Sequence, residues 1–237
     1  MQNFSRRQWL KTSGLAALSF PLLSPNLENS QSAQITLEEI IKLSSNENPY
    51  GPSNAAKEAI LKSLNQANRY PNALRKQLRE VIAEKEGLHT DQILLSAGST
   101  EILSILGKHL ARLKGHYVTT ETTFPVLMMC TEAYDWHWDR VPLDNNFRVD
   151  LNQMKDKVSS KTKAIYLCNP NNPTGTFLHR KQLLDFCKEI NPDTLIIIDE
   201  AYIEYTERGL ENSMVQLLDK IPSLIIVRTY SKMYGLA

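Results

Sequence analysis

The sequence predicts an α/β fold, a mostly parallel sheet with helices on both faces. Three observations carry that expectation. From residue 93 onward, short apolar runs alternate with helix-length segments, the pattern that builds strand–helix–strand units. Two runs, Leu195-Ile196-Ile197-Ile198 and Leu224-Ile225-Ile226-Val227, are continuous and rich in β-branched residues, as expected of strands covered on both sides. Polar and glycine-containing segments follow the apolar runs, at the carboxyl edge where such sheets bind ligands.

With 237 residues, 42% hydrophobic and 22% charged, the chain can bury a sizeable core as one large domain or two small ones. A formal net charge of +1 argues for neither a nucleic-acid surface nor a funnel for acidic substrates. Cys130, Cys168 and Cys187 lack metal-ligand spacing and read as buried thiols. The five histidines are scattered, so no metal site is expected.

Residues 1–36 read as an export signal and linker, ahead of a domain over 37–237. Ser5-Arg6-Arg7-Gln8-Trp9-Leu10-Lys11 precedes a short apolar run over 15–23, a pattern that resembles a twin-arginine signal. The run is too short to span a membrane. This implies export to the periplasm through the twin-arginine machinery; a disordered basic tail on a cytoplasmic protein is the alternative. Residues 24–36 are polar and rich in Pro, Ser and Asn, and residues 46–52 form a turn-rich loop.

Helices are expected over 54–68, with Ala55, Ile60, Leu61 and Leu64 on one side, and over 73–86, with Gly87 as the stop. Residues 93–96 read as a short strand, and Gly98-Ser99-Thr100 opens a helix through 113. A strand over 116–120, a helix over 125–133, a strand over 136–141 and a helix over 151–158 follow. The apolar segment 163–168 reads as a strand, 182–190 as a helix, and the two β-branched runs as the last strands.

Three segments after strands supply an amide, a carboxylate, a phenol and an amine. They are Asn169-Pro170-Asn171-Asn172-Pro173-Thr174-Gly175, Asp199-Glu200-Ala201-Tyr202 and Thr229-Tyr230-Ser231-Lys232. Lys232 follows a buried-type strand, where partial desolvation favours the neutral amine needed for imine formation; a surface or helix-capping lysine fits equally well. Asp199 ends an apolar run and needs a partner. A protonated ring nitrogen, a structural cap, or a metal shared with Glu200 would each serve. Asn172 sits in a loop stiffened by Pro170 and Pro173, aimed at a ligand oxygen or simply part of a tight turn. Ser99 and Thr100 open a helix whose free N–H groups suit a phosphate, although such caps are common. Phe124 could stack on a flat ring or fill the core.

The order Asn-Pro-Asn-Asn-Pro-Thr-Gly, Asp-Glu-Ala-Tyr, Arg-Thr-Tyr-Ser-Lys-Met-Tyr-Gly-Leu-Ala resembles the pyridoxal-phosphate aminotransferases of the aspartate aminotransferase fold (fold type I). Residues 46–52 and Arg69-Tyr70-Pro71 are similar to the histidinol-phosphate aminotransferase branch, and the resemblance covers residues 40–237. It implies pyridoxal 5'-phosphate as cofactor, joined to Lys232, which would also shuttle the substrate Cα proton. It implies Asp199 on the pyridine nitrogen, Asn172 and Tyr202 on the ring hydroxyl, Phe124 stacked on the ring, and Ser99, Thr100, Thr229 and Ser231 on the phosphate. Tyr70 would reach the phosphate from a second subunit, which implies a homodimer. Two features depart from the branch: Phe124 stands where Tyr is commoner, and Gly98-Ser99-Thr100 replaces an acidic turn. The family pattern continues past Gly-Leu-Ala into a phosphate-binding arginine and a smaller domain with a substrate-gripping arginine. The sequence is therefore expected to hold the large domain alone, as a fragment or truncated product.

The expected reaction is transfer of an amino group from an amino acid, or an amine like histidinol phosphate, to a 2-oxo acid. Decarboxylation or elimination on the same scaffold, and a non-catalytic cofactor-binding fragment, are the alternatives. A nucleotide-binding module is disfavoured by the absence of Gly-x-Gly-x-x-Gly and Gly-Lys-Ser/Thr loops.

Overall fold

A computed structural model describes residues 41–237 apart from 114, 135 and 137; the arginine-pair segment and the linker lie outside the described residues. Five strands pair in parallel: β1 (His116–Thr120), β2 (Trp138–Val141), β3 (Thr162–Cys168), β4 (Leu195–Asp199) and β5 (Leu224–Val227), in the spatial order β2-β1-β3-β4-β5. The chain runs outward from β1 to β2, then crosses to β3 and runs the other way. The sheet therefore reverses its winding between β1 and β3, the kind of switch point beside which open α/β sheets bind ligands.

Among the described residues six helices accompany the sheet: α1 (Asn54–Ser63), α2 (Asn72–Glu86), α3 (Ser99–Leu110), α4 (Val126–Glu132), α5 (Leu151–Lys157) and α6 (Arg180–Glu189). Alternation along the strands divides the core. Leu103 and Leu110 of α3 and Leu127 and Met128 of α4 pack on one face with Tyr117, Tyr166 and Ile197. Met154 of α5 and Leu183, Phe186 and Cys187 of α6 pack on the other, with Ile165, Ile196 and Ile198. The expected helices on both faces are thus observed, and the β-branched runs become β4 and β5.

Local chemistry explains most boundaries. Ser53 Oγ accepts the Ala56 N–H at 3.2 Å and starts α1. Asp150 accepts the N–H groups of Asn152 and Gln153 and starts α5. Gly87 ends α2 at φ 68°, a left-handed position that costs glycine little. α1 stops short of residue 68 and tightens into a 3-10 turn, Leu64–Gln66. None of its residues is buried, so packing does not extend it through Asn65 and Asn68, poor helix formers.

One expected element is absent. Residues 93–96 form no strand, and Leu94 is 68% exposed. An apolar run marks a segment suited to burial, whereas a strand also needs a neighbour to complete its ladder, and no described strand pairs with this one.

α3 and α4 approach closely at Gly107, where an added Cβ would lie 2.5 Å from the Cβ of Cys130. Gly107→Val forces the helices apart. We expect a loss of about 1–3 kcal/mol of unfolding free energy, read from urea midpoints.

Candidate active site

Strand register brings the site together. Cys168, the last residue of β3, lies opposite Asp199, the last of β4, and Asp199 lies opposite Val227, the last of β5. The three following segments therefore leave the sheet at one level. The Asn169 N–H extends the ladder by donating to the Asp199 carbonyl at 2.8 Å.

In the first segment the asparagines divide their work. Asn169 donates through Nδ2 to the Leu178 carbonyl at 3.0 Å and accepts the Leu178 N–H at 2.8 Å. Asn171 donates to the Thr122 carbonyl at 3.0 Å and to Thr174 Oγ1 at 2.9 Å, which ties this loop to the one after β1. Both are structural. Asn172 is half-buried, and its side-chain amide makes no hydrogen bond among the described residues, which leaves it for a ligand. Burial and the Asp199 charge hold the Cys168 thiol well above its usual range, with the backbone N–H groups of Asn172 and Phe124 pulling the other way. The Phe124 ring also packs against the core cluster around Tyr117 and Leu127.

Asp199 is 1% exposed. Its Oδ1 accepts the Ala201 N–H and its Oδ2 accepts the Tyr166 hydroxyl, both at 3.1 Å. Burial pushes its carboxyl up to about 6, while those two hydrogen bonds and the Lys232 charge pull the other way. Glu200 does not share this site. Successive side chains point to opposite faces, and Glu200 accepts Ser213 Oγ at 2.6 Å and the Met214 N–H at 2.7 Å, with Met214 in the opposite core cluster. Burial also dominates its shift, up to about 7. Arg228 stands 3.8 Å from Glu200, 3.9 Å from Glu86 and 2.9 Å from Glu204. The adjacent acids thus face different partners, which removes the shared-metal reading of Asp199-Glu200.

Lys232 is half-buried; its Nζ donates to the Ser45 carbonyl at 2.8 Å and lies 5.8 Å from the centre of the Tyr202 ring. The Tyr202 hydroxyl accepts Asn46 Nδ2 at 3.0 Å, and Asn48 Nδ2 donates to the Met233 carbonyl at 2.9 Å. Gly235, at φ 65°, approaches so closely that an added Cβ would sit 2.5 Å from the Gly51 carbonyl carbon. The loop over 46–52 therefore straps both the lysine segment and Tyr202. Thr229 Oγ1 and Ser231 Oγ are 2.8 Å apart, and the Ser231 N–H donates to Thr229 Oγ1 at 3.1 Å.

Ser99 and Thr100 open α3, which packs against β5 and shares the core cluster of Val227 through Leu103. Gly98 precedes them at φ 78° and ψ 165°, and no side chain caps the helix. The Glu101 carboxylate instead turns back to accept the Ala97 N–H at 2.7 Å. Tyr70 is not brought into the cluster: it is 94% exposed on the connection between α1 and α2. A cavity of about 910 Å³ adjoins the site, lined by Asn46, Asn172, Tyr202, Tyr205 and Arg208 among others; Asp199 and Lys232 are not in its wall. It is a forecourt to the carboxylate–amine pair.

Sequence reasoning missed the strap and Tyr166. The loop over 46–52 stands out only as a turn, and nothing local reveals that it crosses back to Lys232. Tyr166 shares a strand face with Cys168, so a phenol buried among apolar residues and needing a partner was a usable signal.

The chain matches the family model described as aminotransferase class I and II over residues 38–237. It is 36% identical to histidinol-phosphate aminotransferase 2 of Nitrosospira multiformis over 84% of this chain and 51% of that one. It is 38% identical to the histidinol-phosphate aminotransferase of Macrococcus caseolyticus, over 84% of this chain and 56% of that one. The crystal structure of histidinol-phosphate aminotransferase from Sinorhizobium meliloti in complex with pyridoxal-5'-phosphate superimposes with a TM-score of 0.72 at 26% identity, covering 81% of this chain and 52% of that one. The chain spans about half the length of the curated relatives it matches.

Two predictions follow from the geometry. Asp199 and Glu200 bind protons more tightly folded, at about 6 and about 7, than at their ordinary 3.8 and 4.5. Stability then increases as pH falls through those folded values and decreases as pH rises through them, when buried carboxylates must ionise. Without cofactor, the melting temperature is expected to be roughly several degrees higher at pH 5 than at pH 8, and Glu200→Gln should narrow that difference. Gly235→Ala combines a left-handed φ with a clash against Gly51. It should cost about 1–3 kcal/mol and speed amide exchange across residues 46–52.

Proposed function

The chain belongs to the class I and II aminotransferases, and from that premise we propose that it holds pyridoxal phosphate at Lys232 and Asp199 for amino-group transfer. The observation that carries this reading is a buried carboxylate and a half-buried amine kept at one sheet edge. The surrounding groups fit the cofactor. Asp199 has both oxygens directed by hydrogen bonds, yet burial pushes its carboxyl up to about 6 against those bonds and the Lys232 charge; a pyridine N–H would add a close positive partner. The uncapped start of α3 and the hydroxyls of Thr229 and Ser231 suit a phosphate. The free amide of Asn172 and the hydroxyl of Tyr202 suit a ring oxygen.

Bound pyridoxal phosphate supplies an aldehyde that captures amines and a ring that takes up the electron pair released at Cα. The protein groups perform the rest. Lys232 offers the amine and moves the proton at substrate Cα. Asp199 keeps the ring nitrogen protonated by charge pairing. Asn172 and Tyr202 fix the ring's hydroxyl edge, Phe124 covers a ring face, and Ser99, Thr100, Thr229 and Ser231 anchor the phosphate. The nitrogen donor is an amino acid or an amine like histidinol phosphate, the latter supported by the relatives' names, and the acceptor is a 2-oxo acid. Tyr70 serves a second copy of the chain in a homodimer. Its full exposure, and the exposed Ile60, Leu61, Leu64, Leu74, Leu78 and Val81 of the neighbouring segments, support that assignment.

Adding pyridoxal phosphate to the 237-residue chain should produce a protein-bound visible absorbance that Lys232→Ala abolishes. Asp199→Asn should weaken retention of the cofactor by roughly tenfold or more, the worth of a charged hydrogen bond. An amino donor should then bleach the absorbance and yield the matching carbonyl compound, a 2-oxo acid where the donor is an amino acid, and an added 2-oxo acid should restore it. Release of ammonia or carbon dioxide instead would overturn the transfer reading.

A further inference from the structure

We propose that Tyr166 is a positioning residue for Asp199, holding the carboxylate turned toward the cofactor's ring nitrogen; this rests on the cofactor reading above. Tyr166 is fully buried. It faces Ile197 across the β3–β4 ladder, so Asp199, two residues further on, presents its side chain to the same face. The hydroxyl reaches Asp199 Oδ2 at 3.1 Å. Burial, then the charge of Asp199, hold the phenol well above its usual range, so it stays protonated and donates.

The carboxylate is thereby gripped twice and differently. Oδ1 is held by the Ala201 N–H of its own connection, and Oδ2 by a side chain of the next strand. A carboxyl group can rotate about one contact; two contacts from separate elements fix its plane. Tyr166 is fixed in turn, because its carbonyl accepts Thr119 Oγ1 at 3.0 Å and its ring lies in the core cluster with Tyr117 and Cys168. The titratable groups facing Asp199 are Tyr166 and Cys168 on β3, Lys232 beyond β5, and Tyr202. Of the two neutral donors on Asp199, Tyr166 is the one that a single side-chain change removes.

Tyr166→Phe deletes one oxygen and keeps the ring. In the full chain without cofactor, the Asp199 carboxyl resonance should titrate roughly one pH unit higher than in the unaltered chain. With pyridoxal phosphate added, affinity read from the visible absorbance should fall roughly tenfold. The same substitution in an Asp199→Asn background should change affinity little, because Tyr166 acts through that carboxylate. An unmoved Asp199 titration, or an undiminished tenfold loss in the Asn background, would overturn the proposal. If Tyr166→Phe fails to fold, 3-fluorotyrosine at position 166 supplies a stronger donor and should lower the Asp199 midpoint; an unmoved or raised midpoint would count against it. Failure of the unaltered chain to bind pyridoxal phosphate would sink the cofactor reading, while the cofactor-free titration still decides the role of Tyr166.

Discussion

The level alignment of three parallel strand ends is the constraint on which the site depends. Cys168, Asp199 and Val227 terminate β3, β4 and β5 side by side. A slip of one residue in β4 would turn Asp199 to the opposite face and present Glu200 in its place. The β-branched run of β4 is buried against core clusters on both faces of the sheet, so such a slip would also mismatch Ile196, Ile197 and Ile198 with them. Apolar packing, which has no directional chemistry of its own, thereby determines which of two adjacent acids faces the candidate site.

The same desolvation acts on both acids, and the fold answers it in two ways. Glu200 receives a hydroxyl, an N–H and the nearby Arg228, so its needs are met within the protein. Asp199 receives two neutral donors and only the more distant charge of Lys232. A buried ion held without a close countercharge costs stability. Polar groups left partly compensated in this way are typical of sites completed by a ligand. The strap over 46–52 adds a second long-range dependence, because it joins the lysine segment and Tyr202, which leave different strands.

Much of this was legible from composition along the chain. Leu224–Val227 appeared at its expected bounds and β4 extended its run by one residue, because a continuous β-branched run between turn signals has few other ways to be buried. Gly87 marked the end of α2 because the left-handed φ there suits glycine. Residues 93–96 misled, since an apolar run does not reveal whether a neighbouring strand exists. Among the candidate site residues, the placement of those after strand ends was legible: Asn172, Asp199, Tyr202 and Lys232 follow β3, β4 and β5 at the predicted edge. Contacts closed over long sequence separations were not. The Ser45 carbonyl beneath Lys232 and the Gly51–Gly235 approach have no local signature, because neither residue type nor spacing encodes which distant turn will arrive.

If the cofactor sits as proposed, its binding and the stability of the fold are linked through Asp199. A ligand that binds only the folded chain stabilises it by an amount set by concentration over dissociation constant, about 2.7 kcal/mol at a hundredfold excess over Kd. A cationic ring nitrogen beside Asp199 would also favour its ionised form and draw the carboxyl below its present value of about 6. The proton the folded chain takes up at Asp199 between 3.8 and about 6 would then be released on binding. The cost of burying this carboxylate is greatest when no cation faces it, and a cationic ring nitrogen would complement the position the sheet gives Asp199.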